Sequence, residues 1–293
     1  MQSVSRLDTI ADLPAMLREG DLLLLDVDET LVRSEPDATE PWFNAFVDAL
    51  RHNGKNEKRV CFDAGVEVWQ ALQGVCEVAA PEGEATREAL RAALRIPGVE
   101  CVGLTARGPE VDVETVAQLK RCGLYEGVFA TRSLGELAPA SAGDRVAPLT
   151  HLHGIIYCSG SRKPAGCRAF EAAAAIPSTR RVVLLDDRES HCHAVAEDCR
   201  ARGRPFLGVH YAHGSADAEC VLPRSWQLVA AIIGDSSGGG RQKMRQALDA
   251  MGKDDADVGG DARSTSPRVA LALVVGACVG GAAVWTALKA ARR

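Results

Sequence analysis

Four consecutive leucines, Leu22 to Leu25, run straight into Asp26-Val27-Asp28-Glu29-Thr30, and no other stretch constrains the chain as much. The apolar run is too short for a helix and suits a strand buried on both faces of a parallel sheet. A strand ending at Asp26 delivers that carboxylate to the carboxyl edge of the sheet, where open α/β folds build their sites. Asp28, two residues on, reaches the same side. Two carboxylates this close repel and need a cation or a shared proton. A Mg²⁺ ion held by oxygen ligands, with a phosphate opposite, would supply it. The plain alternative is a turn, since Asp and Thr also cap helices and close loops.

Three later stretches fit the same edge. Val99-Glu100-Cys101-Val102-Gly103-Leu104 reads as a strand leading into Thr105, with Pro109 and several acids opening a helix just beyond. Thr105 is then either a phosphate-binding hydroxyl beside a helix N-terminus or a simple N-cap. Arg107 either adds charge there or lies on the surface. Ser159-Gly160-Ser161-Arg162-Lys163-Pro164 opens an Ala-rich helix through Ala175. A cation at a helix start opposes the dipole unless an anion lies nearby, which singles out Lys163, with Arg162 as its competitor. Arg181 to Leu185 reads as another buried strand that delivers Asp186 and Asp187.

Taken in order, these motifs resemble those of the haloacid dehalogenase-like phosphohydrolases, beginning with Asp26-x-Asp28-x-Thr30. The phrasing also resembles an uncharacterised bacterial branch of that superfamily. The resemblance implies a Rossmann-like α/β fold with a mostly parallel sheet, and a Mg²⁺-dependent phosphatase acting on a phosphomonoester. It makes Asp26 the nucleophile, Asp28 the general acid/base, and Thr105 and Lys163 the phosphate holders. It places the metal on Asp26, Asp28 and Asp187 with the Val27 backbone carbonyl, Asp186 standing beside them. Many relatives carry an acid where this chain has His191, and a glycine where it has Pro164. The rival reading is a catalytically silent protein that keeps the fold for interaction.

Around these motifs the chain divides. Residues 1–20 read as a short helix with Leu13, Met16 and Leu17 on one face, stopped by Gly20. Residues 1–32 and 97–234 form the expected core. Residues 33–96 read as a helical cap insertion of three helices, with Trp42 and Trp69 in its own small core. Residues 131–145 read as loop. His151 and His153 lack companions at zinc spacing and suit a turn or strand edge. His191, Cys192 and His193 fall on different faces of the following helix. The core closes with a strand at Phe206–His210 and a helix near Trp226–Ile233.

Residues 235–268 read as a flexible linker, and 269–288 carry no charged residue. At about 1.5 Å per residue, that stretch spans roughly the 30 Å of a bilayer core, which predicts a single-pass C-terminal transmembrane helix. With no apolar signal region at the N-terminus, the catalytic part is expected in the cytosol. Gly276 and Gly280, four apart, mark a candidate face for a weak homodimer. A net charge of −5 and no basic stripe argue against nucleic acid as a partner. Ten cysteines without a Cys-x-x-Cys pair suit reduced, packed thiols. The substrate is a phosphorylated compound of unassigned class.

Overall fold

The computed structural model describes residues 3–35, 39–54, 58–74, 76–129, 133–139, 148–160 and 162–213, together with Gln227 and Ala230. The linker, the apolar stretch 269–288 with Gly276 and Gly280, and most of the helix expected near Trp226 lie outside these residues. No helix among the described residues is long and apolar enough to cross a membrane.

The chain divides into two units, residues 1–33 with 78–216 and residues 34–77 with 217–293. In the first, β1 (Ser3–Leu7), β2 (Leu22–Leu25), β5 (Glu100–Thr105), β6 (Gly135–Leu137), β7 (Leu149–Leu152), β8 (Ile155–Tyr157), β9 (Val182–Asp186) and β10 (Phe206–Tyr211) form one sheet. Their order is β1-β10-β9-β2-β5-β8-β7-β6. From β1 to β8 the neighbours are parallel, and β7 and β6 add an antiparallel edge. This is the expected α/β, mostly parallel architecture.

The four leucines divide between the faces of this sheet. Leu23 and Leu25 join one core cluster, with Leu90, Leu119 and Val183, while Leu22 and Leu24 join the other, with Phe170, Val182 and Val195. Helices α1 (Leu13–Met16), α4 (Glu84–Leu94) and α5 (Asp112–Arg121) supply residues to the first cluster. Helices α6 (Lys163–Ala173) and α7 (Glu189–Ala201) cover the second. A strand wedged between two apolar layers has no solvent face, so alternation disappears and an unbroken run of leucine results.

The N-terminal segment differs from its expected helix. A 3-10 turn at Ile10–Asp12 leads into a single α-helical turn, α1, which stops there because Leu17 already has an extended backbone. Residues Ser3–Leu7 instead pair with β10, close to the far end of the domain. Those hydrogen bonds depend on a partner about 200 residues away, and β1 itself carries only two apolar residues, so no local period announces a strand.

The insertion also differs in its boundary. Helices α2 (Glu40–Gly54) and α3 (Lys58–Gln73) build a second core around stacked Trp42 and Phe46, joined by Val68, Leu72 and Ala230, with Trp69 packed against it. The third expected cap helix, α4, belongs to the first unit: Ala89, Leu90 and Ala93 are buried in the first core cluster. Short strands β3 (Arg33–Glu35) and β4 (Glu77–Ala79) form a two-stranded sheet where the chain passes from one unit to the other.

His153 and Gly154 both have positive φ and turn β7 into β8 as a two-residue hairpin, with His151 buried in β7. The segment expected to be loop contributes β6, paired with β7.

Candidate active site

The site forms where the strand order changes direction. β2 lies between β9 and β5, in a register that sets Leu25 beside both Leu185 and Gly103. One residue beyond, the Asp26 amide donates to the Leu185 carbonyl at 3.0 Å. Asp26, Asp186 and Thr105 therefore emerge from three adjacent strands at one carboxyl edge, the usual position of a crevice in such sheets.

After Asp26 the chain reverses sharply. The Leu31 and Val32 amides both donate to the Val27 carbonyl at 2.9 Å, and Glu29 adopts a positive φ of 59°. Few non-glycine residues do so. The Val27 carbonyl, given by the resemblance as a metal ligand, is thus engaged twice within its own turn. The same reversal returns Thr30 beneath Asp26. Its hydroxyl lies 3.4 Å from Asp26 Oδ2 and accepts the Asp187 amide at 3.0 Å, tying the two acidic segments together.

Lys163, the first residue of α6, is buried with its Nζ 2.6 Å from Asp26 Oδ1 and 2.5 Å from Asp186 Oδ2. Gly166 allows the helix to sit this close, since a Cβ there would lie 2.6 Å from the Cys158 sulfur. Pro164, in the first turn, needs no helical amide partner and so does not disturb the start. Asp186 also accepts from the Arg188 amide at 2.9 Å and contacts His191 Nδ1 at 3.1 and 3.2 Å. Both its oxygens are engaged. Asp186 acts as the hub between Lys163 and His191.

Asp26, Asp186 and Asp187 each place a carboxylate oxygen within 4.8 Å of the others. Burial pushes the Asp187 carboxyl up to about 9, with the charges of Asp26 and Asp186 adding to the effect. Burial likewise raises Asp26 to about 6 despite Lys163. Asp186 moves the other way: burial alone would raise it, but Lys163 and His191 outweigh that and hold it below the usual range. Lys163, although buried, is held above its ordinary value by the two aspartates. One lysine does not neutralise the buried Asp26 and Asp186 together with the half-buried Asp187, and without a counter-ion burial and the neighbouring charges favour the neutral form of Asp187. Hard oxygen donors with unmet negative charge fit a divalent cation such as Mg²⁺.

Asp28 stands outside that cluster. Its carboxylate is gripped by Arg107, with Nη2 to Oδ1 at 2.7 Å and Nε to Oδ2 at 3.1 Å. Asp28 and Asp187, both expected at the metal, therefore have different surroundings. Thr105 is fully buried at the end of β5 and accepts the Arg107 amide at 3.1 Å. That bond uses a lone pair and leaves the hydroxyl proton for an acceptor. Beyond Thr105, residues 158–160 bond back to residues 105–107, which brings the Lys163 loop alongside.

Arg107 lies in the interior, not on the surface. Thr30 and Asp186 also have larger parts than the sequence reading gave them. Thr30 was legible as the hydroxyl of the first motif. Nothing local distinguishes Asp186 from Asp187, whose roles depend on which way each points at the end of β9. His191 touches Asp186, Cys192 is buried and His193 is exposed, as three successive helix positions require. Arg162 is exposed, while Lys163 points inward.

No curated protein and no solved structure matches the chain. One family profile, described as a protein of unknown function (DUF2608), matches residues 4–228. By that match, which covers most of its length, the chain belongs to the DUF2608 family.

Proposed function

We propose that this protein is a phosphatase of the haloacid dehalogenase type, hydrolysing a phosphomonoester through a phospho-aspartate on Asp26. The observation that carries this reading is the cluster of three carboxylates at the sheet's switch point, the buried Asp26 and Asp186 paired with buried Lys163 and the half-buried Asp187 beside them. A resting structural site would be neutralised; this one fits a cation and an anionic substrate arriving together. Asp26 and Asp187 would hold Mg²⁺, with Asp186 committed to Lys163, His191 and the Arg188 amide. When bound, the ion offsets the negative charge of carboxylate and phosphate.

In the first step an Asp26 oxygen attacks phosphorus and the bond to the leaving oxygen breaks, Asp28 supplying that oxygen with a proton. In the second, Asp28 takes a proton from water as the water attacks phosphorus, and Asp26 is released. Lys163 screens Asp26 from Asp186 before substrate arrives, then holds a phosphoryl oxygen. Thr105 donates its free hydroxyl proton to another.

The test is release of inorganic phosphate by the full-length protein, with Mg²⁺, from a panel of aryl, sugar, nucleotide and lipid-headgroup phosphates. Trapping of a phospho-aspartyl peptide containing Asp26 supports the mechanism. No release from any member, with metal loaded, favours a silent protein that keeps the fold for interaction. We also propose that residues 269–288 anchor the chain in a membrane with the catalytic unit in the cytosol. Recovery of the full chain in the soluble fraction after lysis rules this out.

A further inference from the structure

The grip on Asp28 is more elaborate than an ion pair requires. Arg107 is only 3% exposed, yet it reaches a carboxylate that is 41% exposed. Nε and Nη2 take Asp28 side-on, while Nη1 donates to Thr115 Oγ1 at 2.9 Å and Gln118 Oε1 at 2.7 Å, both on α5. Thr115 in turn donates to the Val111 carbonyl at 2.6 Å, so one anchor is itself fixed. The backbone of Arg107 is held as well, its amide by Thr105 and its carbonyl by the Ser159 amide at 2.9 Å. All three guanidinium nitrogens and both main-chain groups are thus committed. Such a guanidinium is a rigid fork whose donors suit a carboxylate and fix its plane.

We infer that Arg107 is the positioning residue of Asp28, setting the carboxylate plane so that Oδ2 handles the substrate proton. Oδ1 takes the short Nη2 bond and a second contact from Nε at 3.3 Å; among the described residues Oδ2 takes only the Nε contact at 3.1 Å. Oδ2 therefore keeps the freer lone pair. A lysine cannot reproduce this, because a single ammonium cannot engage Asp28 side-on and still reach Thr115 and Gln118. The inference rests on the phosphatase reading for what Asp28 does, but not for how it is held.

The experiment uses the full-length protein, Mg²⁺ and 4-nitrophenyl phosphate. Because misplacing a catalytic group by about 1 Å can cost 10²-fold, Arg107→Lys should lower kcat about 10- to 100-fold and leave KM within about threefold. Gln118→Leu, which removes one anchor only, should give a smaller loss in kcat. In an Asp28→Asn background, Arg107→Lys should cost nothing further, since a residue acting through another has no effect once that other is gone. Losses that multiply, or a raised KM at constant kcat, would show Arg107 acting on substrate itself and overturn the inference.

A second measurement stands apart from turnover. The Arg107 Nε–H resonance of ¹⁵N-arginine-labelled protein should be resolved and slow to exchange, and should move in Asp28→Asn. If wild-type protein hydrolyses nothing, the phosphatase reading fails, and this resonance alone decides the clamp. A signal merged with exposed arginines overturns it.

Discussion

The two ends of the central strands carry opposite electrostatic designs. At the amino end, Asp21 and Glu100 meet Arg181 and Arg180. Arg181 takes Asp21 side-on at 2.9 and 2.5 Å, and Arg180 bonds Glu100 at 2.8 Å and the carbonyls of Gly20, Asp21 and Gly98. Charges match and loop carbonyls are satisfied. At the carboxyl end, Asp26, Asp28, Asp186 and Asp187 face the fixed cations Lys163 and Arg107. Burying unmatched charge costs folding energy. A sheet that neutralises one end and leaves the other acidic carries that cost where a ligand can relieve it.

The widest separation between the ends should appear in turnover. Asp26→Asn is expected to lower kcat by about 10⁴-fold or more with an unchanged circular dichroism spectrum. Asp21→Asn should keep wild-type kcat. Equal losses in the two variants would erase the distinction.

Stability should separate them in the reverse sense. Arg181→Ala leaves the buried Asp21 carboxylate without its fork and should cost about 3 kcal/mol in urea unfolding, the scale for a broken buried pair. Its kcat at a temperature where it is folded should stay unchanged.

Glu82 sharpens the comparison, because it lies at the carboxyl end of the edge strand β1 and its neighbour β10 and is nevertheless satisfied. It accepts from Thr9 Oγ1 and the Ile10 amide at 2.6 Å and from Tyr211 at 2.7 Å. Burial alone would raise its carboxyl, but these donors outweigh burial and hold it below the usual range. A depressed carboxylate stabilises the fold above its unfolded pKa, and that stability is lost as pH falls through the folded value. Glu82→Gln should therefore cost about 1.5 kcal/mol at neutral pH. The gap from wild type should close on acidification below about pH 4. A gap independent of pH would make Glu82 a packing residue only.

The smallest effect is expected at Asp187. In metal-free protein, Asp187→Asn removes a poorly matched acid and should change stability by no more than about 1 kcal/mol, neutral or favourable. Added Mg²⁺ should raise the wild-type melting temperature by mass action and leave that of the variant unmoved. His191→Ala should retain most of the Mg²⁺ response. A larger loss from the histidine change would move the metal away from Asp187.

Much of the site was legible because its residues sit at the ends of strongly apolar strands. Asp26, Thr105 and Asp186 each terminate a run whose burial on both faces forbids charge, so the first polar residue marks the sheet edge. Lys163 stood out because a helix start disfavours a cation. Arg107 did not stand out, since an arginine two residues before a helical segment reads equally as surface. Only the fold shows Thr115, Gln118 and Asp28 converging on it. The strands β1 and β6 were missed for a related reason: each is short, lies at or near a sheet edge, and takes its hydrogen bonds from distant partners.

By itself, then, the sequence determined the α/β class, the buried strands and the acids they deliver, because burial imposes period and composition residue by residue. Tertiary structure alone decided which acid is paired and which is not. Asp28 lies two residues from Asp26, yet one meets a guanidinium from beyond β5 and the other a lysine from α6. Asp186 and Asp187 are neighbours in sequence but have carboxyls shifted in opposite directions. Charge interactions fall off over a few ångströms, so they are set by which strands lie side by side and where each side chain points, and neither is written in the local sequence.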